Sequence, residues 1–92
     1  MSAKEKSLAD EFRQTGRHFL AGKPIDISVL SAMIEKQRAQ RPRMCTTLTD
    51  LLQAIQDEAG RGDRGAALRH FRAAIELASD SDRRQRATAK WA

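Results

Sequence analysis

The chain has 92 residues, of which 17 are Lys or Arg and 12 are Asp or Glu, so its formal net charge is +5. This length allows one domain, and a hydrophobic share of 40% is sufficient for a collapsed core. No apolar run approaches the roughly 18–20 residues of a membrane span, and charged residues interrupt any secretory signal near the N-terminus. The single Cys excludes an internal disulfide and a cysteine-based zinc site. We therefore expect a cytoplasmic, bacterial protein that does not bind membranes.

Gly and Pro divide the sequence into four segments, each with apolar residues at helical spacing. The first segment is predicted as a helix over residues 2–21, because Ser2 and Glu5 have the spacing of a capping box. The second is predicted as a helix over residues 26–39, with Asp26 as its cap. A strand at residues 25–29 is the alternative for this segment, but no later segment offers such a strand a partner.

The third and fourth segments have the clearest apolar periodicity. The third is predicted to begin at a cap formed by Thr47 and to end at Gly60, and Asp63 is the predicted cap of the fourth. A linker this short favours antiparallel neighbours, so these two helices are predicted to form a hairpin. Residues 1–79 are the predicted helical domain, and residues 80–92 are a predicted basic tail, either a frayed helix or a disordered segment.

The predicted fold is therefore all-α, either a small four-helix bundle or two packed helical hairpins, followed by a basic C-terminal tail. A domain of this size buries only about 60–65% of the surface of its unfolded chain. Self-association would stabilise such a domain, so a homo-oligomer is an open alternative to a monomer.

Residues 62–77 resemble the second half of a tetratricopeptide repeat. The residues that carry this resemblance are the turn Gly62-Asp63, the small residues Ala67 and Ala74, and the aromatic Phe71. In the preceding helix, Ile55 and Glu58 occupy the positions at which the family has Gly and Tyr. A single repeat cannot bury its own faces, so the resemblance implies that the first two helices pack on this hairpin as a second layer. The alternative is that a tight helical hairpin of any origin converges on this pattern.

Apolar residues of the third and fourth helices are predicted to line a groove for a segment of another protein. The candidate partner-binding residues are Leu51, Ile55, Leu68, Phe71 and Ile75. His18 and His70 lie on different predicted helices and have no metal-binding or nucleophilic spacing, so no catalytic residue, metal site or cofactor is predicted. The predicted function is that of a non-enzymatic regulator, adaptor or chaperone.

Two basic clusters indicate an alternative function, that of a nucleic-acid-associated regulator. The candidate basic residues are Lys36, Arg38, Arg41 and Arg43 in residues 36–43, and Arg83, Arg84, Arg86 and Lys90 in residues 83–90. Arg41 and Arg43 are expected in a linker beyond the second helix, where the helix dipole does not account for their charge. An aromatic share of only 4% argues against stacking on single strands. The predicted linker is also too long for a helix-turn-helix, and an acidic protein is the other ligand that this surface could attract.

Cys45 is a candidate reactive thiol. It follows Arg43 and precedes the predicted start of the third helix, where positive charge and the helix N-terminus would lower its pKa. The alternative is a small, half-buried residue beside Met44.

Overall fold

A computed structural model describes the backbone of residues 7–91 and the side chains of residues 7–87. Within these residues the chain forms four α-helices and no strand: α1 (Leu8–Leu20), α2 (Ile27–Gln37), α3 (Pro42–Gly60) and α4 (Arg64–Trp91). Each helix packs on the next one in sequence and α4 also packs on α1, whereas no backbone contact in the described part joins α1 to α3 or α2 to α4. This closed ring of neighbours is a small four-helix bundle, so the all-α prediction is confirmed.

Side-chain caps fix the starts of α1 and α2. The Oγ of Ser7 accepts a hydrogen bond from the backbone N–H of Asp10 at 3.1 Å, so the described helix starts at Leu8. The predicted capping box of Ser2 and Glu5 lies outside the described residues. The predicted cap of α2 is confirmed, because a carboxylate oxygen of Asp26 accepts from the N–H of Val29 at 3.4 Å.

The predicted start of α3 is wrong, because the helix begins at Pro42 and not after Thr47. Proline suits the first position of a helix, where its fixed φ angle is helical and its missing N–H is not needed. The Oγ1 of Thr47 donates to the carbonyl oxygen of Arg43 one turn back, so this hydroxyl acts inside the helix. The connection between α2 and α3 is therefore residues 38–41, and the argument from linker length against a helix-turn-helix fails.

The hairpin of α3 and α4 has the predicted tight turn. Gly62 adopts a φ of +79°, a conformation that other residues rarely adopt, and Asp63 caps α4 by accepting from the N–H of Ala66 at 3.2 Å. Beyond the hairpin, α4 passes residue 80 and continues without a break to Trp91. The segment predicted as a tail thus extends α4. That residues 1–79 form a domain that folds without residues 80–92 stays a prediction.

The core is mainly aliphatic and draws on all four helices. Its largest fully buried side chains include Leu8, Phe12, Leu30, Ile34, Leu48, Ile55 and Phe71. On α4 the small residues Ala67, Ala74 and Ala78 are fully buried, which lets neighbouring helices approach closely. The rings of Phe19 and Phe71 lie 5.8 Å apart and join α1 to α4. These contacts fix the surface at which α1 and α4 meet.

Candidate functional site

A shallow groove of about 360 Å³ lies between α1 and α4. Its lining residues are Arg13, Gly16, Arg17 and Leu20 of α1, and Leu68, Phe71, Arg72 and Ile75 of α4. On both helices these residues have the spacing i, i+3, i+4 and i+7, so each wall of the groove is a single helix face. The two walls run antiparallel, because Arg13 contacts Ser79 at one end while Phe19 contacts Arg64 at the other.

Apolar side chains occupy the middle of this groove. Leu20 is 61% exposed, the highest value among the large hydrophobic residues of the described chain, and Leu68 and Ile75 are half-buried. We call these three residues the apolar strip. Below it lies the ring of Phe71, which is 2% exposed and is anchored in the core. Apolar side chains that line a concave surface between two helix faces form a candidate site for a segment of another protein.

Three arginines frame the apolar strip, and we call them the arginine rim: Arg13, Arg17 and Arg72. Arg13 is paired with Asp10 at 3.0 Å and also donates to the Oγ of Ser79 at 2.9 Å, which ties α1 to α4 at one end of the groove. The side chains of Arg17 and Arg72 are exposed and have no hydrogen-bonding partner among the described residues. None of the residues that line the groove is acidic, so the charges of Arg17 and Arg72 have no opposite charge within the groove.

The five predicted partner-binding residues do not lie together on one surface of the structure. Ile55 is fully buried and Phe71 is 2% exposed, so both belong to the core of the isolated chain. Leu51 is half-buried on α3 and lies outside the groove, whereas Leu68 and Ile75 form part of the apolar strip. The groove with exposed apolar residues therefore lies between α1 and α4, whereas the facing apolar residues of α3 and α4 pack into the core.

Sequence reasoning missed the α1 wall of the groove. The apolar spacing of the first segment predicts Phe19 and Leu20 on one helix face, but consecutive helical residues point about 100° apart. The structure buries Phe19 and exposes Leu20. Two large apolar residues side by side at the end of an amphipathic helix are a signal that one of them faces outward.

The two predicted basic clusters meet at one end of the bundle. Arg41 donates to the carboxylate of Asp82 at 2.8 Å, to the Oγ of Ser81 at 3.1 Å and to the side-chain oxygen of Gln85. Only 14% of the Arg41 side chain is exposed. This arginine therefore joins the connection between α2 and α3 to α4. It lies in that connection, as expected, but its side chain is mostly buried and paired and does not form part of an exposed basic surface. Arg43, expected in the same linker, lies in the first turn of α3.

The other basic candidates divide into paired and unpaired side chains. Arg38 binds the carboxylate of Glu35 at 2.7 Å, and Arg83 is paired with Asp80. The candidates that are exposed and have no partner in the described part of the chain are Lys36, Arg43, Arg84 and Arg86. The side chain of Lys90 lies outside the described residues. Arg43 and Arg84 come from different clusters, yet they line one depression between α3 and α4.

A larger polar cleft of about 730 Å³ lies beside this basic end of the bundle. Its charged residues are Arg13, Arg41, Arg83 and Arg86, together with Asp10 and Asp82. The carboxylates pair with two of these arginines, and Asp80 pairs with a third. The lining of this cleft is more polar than apolar and its charge is mostly neutralised, whereas the lining of the smaller groove between α1 and α4 is mainly apolar. The groove is therefore the stronger candidate site for a protein partner.

The predicted reactivity of Cys45 is not supported by its position. The early start of α3 places this residue in the helix, where it is fully buried and its Sγ donates to the carbonyl oxygen of Ile34 at 3.4 Å. Burial raises the pKa of the Cys45 thiol above its usual value, although Arg38 and Arg41 act in the opposite direction. A buried thiol with a raised pKa is a poor nucleophile, so the structure corresponds to the packing alternative.

No described helix is long and apolar enough to cross a membrane. In the same part of the chain, no three His, Cys, Asp or Glu side chains gather in an arrangement that could hold a metal ion. Comparison of the chain with protein-family models, curated proteins and solved structures finds no significant match.

Proposed function

We propose that this protein is a non-enzymatic interaction module that binds a helical segment of another protein in the groove between α1 and α4. The observation that carries this proposal is the apolar strip, in which Leu20 is 61% exposed beside the half-buried Leu68 and Ile75. A regulator, adaptor or chaperone would use such a site to recognise its partner. A partner that covers the apolar strip would remove its apolar surface from water, and this favours binding.

The shape of the groove favours a helix as the bound segment. Each wall spans eight residues, and the seven steps between them, at 1.5 Å each, correspond to about 10 Å, or two helical turns. A partner helix laid between two helix faces would present apolar side chains at positions i, i+3 or i+4, and i+7. A contact of this size is at the small end of specific interfaces, so we expect an affinity in the range of about micromolar dissociation constants.

A displayed library of helical peptides tests the proposal, each peptide having leucines along one face, which we call the leucine seam. Peptides selected on the full chain are expected to bind the Leu20→Ser variant roughly tenfold more weakly, since this variant interrupts the apolar strip at an exposed position. The matched control is Val29→Ser, because Val29 is also an exposed large hydrophobic residue, at 40%, but lies on α2. Equal weakening by both substitutions, or peptides that bind independently of Leu20, would contradict the proposed site.

A second candidate function is nucleic-acid binding at the basic end of the bundle. The observation that favours it is the shared depression of Arg43 and Arg84, two exposed arginines without partners in the described chain. Binding of DNA or RNA would then weaken with salt, and replacing both arginines by Gln should reduce the slope of log affinity against log salt by roughly two units. An intact chain that binds neither DNA nor RNA at low salt rules this candidate out.

A further inference from the structure

We infer that the segment bound in the groove is an acidic amphipathic helix, with Asp or Glu on both flanks of its apolar seam. The inference rests on the proposed function of the groove and adds the chemistry of the partner. It follows from the arginine rim, whose charges surround the apolar strip while no acidic residue lines the groove.

The arginine rim is available for new ion pairs. Arg17 and Arg72 are exposed, and neither donates to an acceptor among the described residues. A guanidinium presents a planar fork of donors that matches both oxygens of a carboxylate, so Asp and Glu are its natural partners on a protein. Arg13 is already engaged by Asp10 and Ser79 and therefore contributes less.

The placement of the two free arginines specifies where the carboxylates belong. Arg17 lies on the α1 wall and Arg72 on the α4 wall, so a helix seated on the apolar strip meets one cation on each side. When helices pack through an apolar seam, the positions beside the seam face the flanks of the neighbouring helices. Carboxylates at those positions on both sides of the partner would reach the arginine rim, whereas Lys or Arg there would be repelled.

Charge also distinguishes this partner from other occupants. A second copy of the chain, docked by the same groove, would bring two arginine rims together, and the whole chain has a net charge of +5. A nucleic acid would pair with the arginines but would leave Leu20, Leu68 and Ile75 exposed to water. An acidic amphipathic helix would pair with the arginines and would also cover the apolar strip.

The test uses the helical library with the positions beside the leucine seam randomised among Glu, Gln and Lys. On the unmodified chain, peptides with Glu on both flanks are expected to bind at least about tenfold more tightly than the matching Gln peptides. In the double variant with Arg17→Glu and Arg72→Glu, the preference should change from Glu to Lys. The control is Arg69→Glu, since Arg69 is also exposed on α4 but does not line the groove, and it should keep the preference for Glu.

The outcomes separate this inference from the proposed function. Peptides that depend on Leu20 but show no flank preference, or prefer Lys, would overturn the acidic partner and leave the groove as a binding site. If no selected peptide depends on Leu20, both proposals fail. Binding of anionic phospholipid vesicles or of a single-stranded RNA that is lost in the Arg17→Glu and Arg72→Glu variant, without any groove-dependent peptide, would likewise overturn the inference.

Discussion

Phe71 links the core of the bundle to its candidate site. The side chain is 2% exposed and lies beneath the apolar strip. The centroid of its ring lies 5.8 Å from the centroid of the Phe19 ring. The sequence pattern predicted an apolar role for Phe71, Leu68 and Ile75, but it could not divide them between core and surface. That division depends on which helix covers each side of α4, and helical periodicity contains no information about the neighbour.

The burial of Leu52 gives a prediction at the scale of one residue. Leu52 is 5% exposed in the core, so Leu52→Ala should lower the free energy of unfolding by about 2–5 kcal/mol, through lost burial and the cavity left behind. Leu20→Ala is the matched control, and at 61% exposure it should change this energy by no more than about 0.5 kcal/mol. Urea denaturation measures both values, and a loss within error for Leu52→Ala would contradict the bundle core.

At the scale of elements, the starts of helices were predictable where a side chain caps them and not where proline starts them. Asp26 and Asp63 cap α2 and α4 as their sequence positions predict. A proline such as Pro42 separates two helical segments in the sequence pattern, but it also suits the first position of a helix, and here it starts α3. Because of that ambiguity the predicted α3 was too short and Arg43 was expected in a linker. The ion pair of Arg41 with Asp82 joins residues 41 apart in sequence, and local pattern does not predict it.

Arg41 and Arg43 form a matched pair that tests the connection between α2 and α3. Arg41→Gln should lower the free energy of unfolding by about 1–3 kcal/mol, because Asp82, with only 19% of its side chain exposed, loses its ionic partner. Arg43 is exposed and unpaired within the described residues, so Arg43→Gln should stay within about 0.5 kcal/mol of the unmodified chain. Thermal or urea unfolding distinguishes the two variants. Equal losses of unfolding free energy would contradict a stabilising contact of Arg41 with α4.

The cap of α2 predicts a pH dependence. Hydrogen bonds from the hydroxyl of Ser28 and the N–H of Val29 stabilise the ionised carboxylate and hold the pKa of Asp26 below its usual value. A carboxyl whose pKa is lower in the folded state stabilises the fold above its unfolded pKa of about 3.9, and this contribution is lost as the pH falls through the folded pKa.

Asp26→Asn isolates this effect, because Asn is an equally good cap that does not titrate in this range. The melting temperature of the unmodified chain should therefore fall more steeply than that of the variant as the pH is lowered through the acidic range. Differential scanning calorimetry at a series of pH values measures both curves. Parallel curves would contradict an ionised cap at Asp26.

At the scale of the whole molecule, the bundle places its two candidate surfaces apart. The groove between α1 and α4 combines apolar and basic side chains, whereas the basic end near Arg43 and Arg84 has exposed charge. The all-α fold follows from four apolar-periodic segments, so the sequence was sufficient to predict it. The groove arises only when α1 closes the ring on α4, a contact between distant segments that local pattern does not specify. The tetratricopeptide resemblance stays a prediction about the hairpin of α3 and α4.

An NMR titration of the full chain with a selected acidic helical peptide tests the central claim most directly. Backbone amide signals of residues 13–20 in α1 and 68–75 in α4 should shift on binding, because these segments form the walls of the groove. Signals of residues 41–43 and 81–86, at the basic end, should stay in place. Shifts centred on the basic end or on the exposed face of α3, with the two walls of the groove unchanged, would contradict the claim that the arginine-framed groove is the binding site.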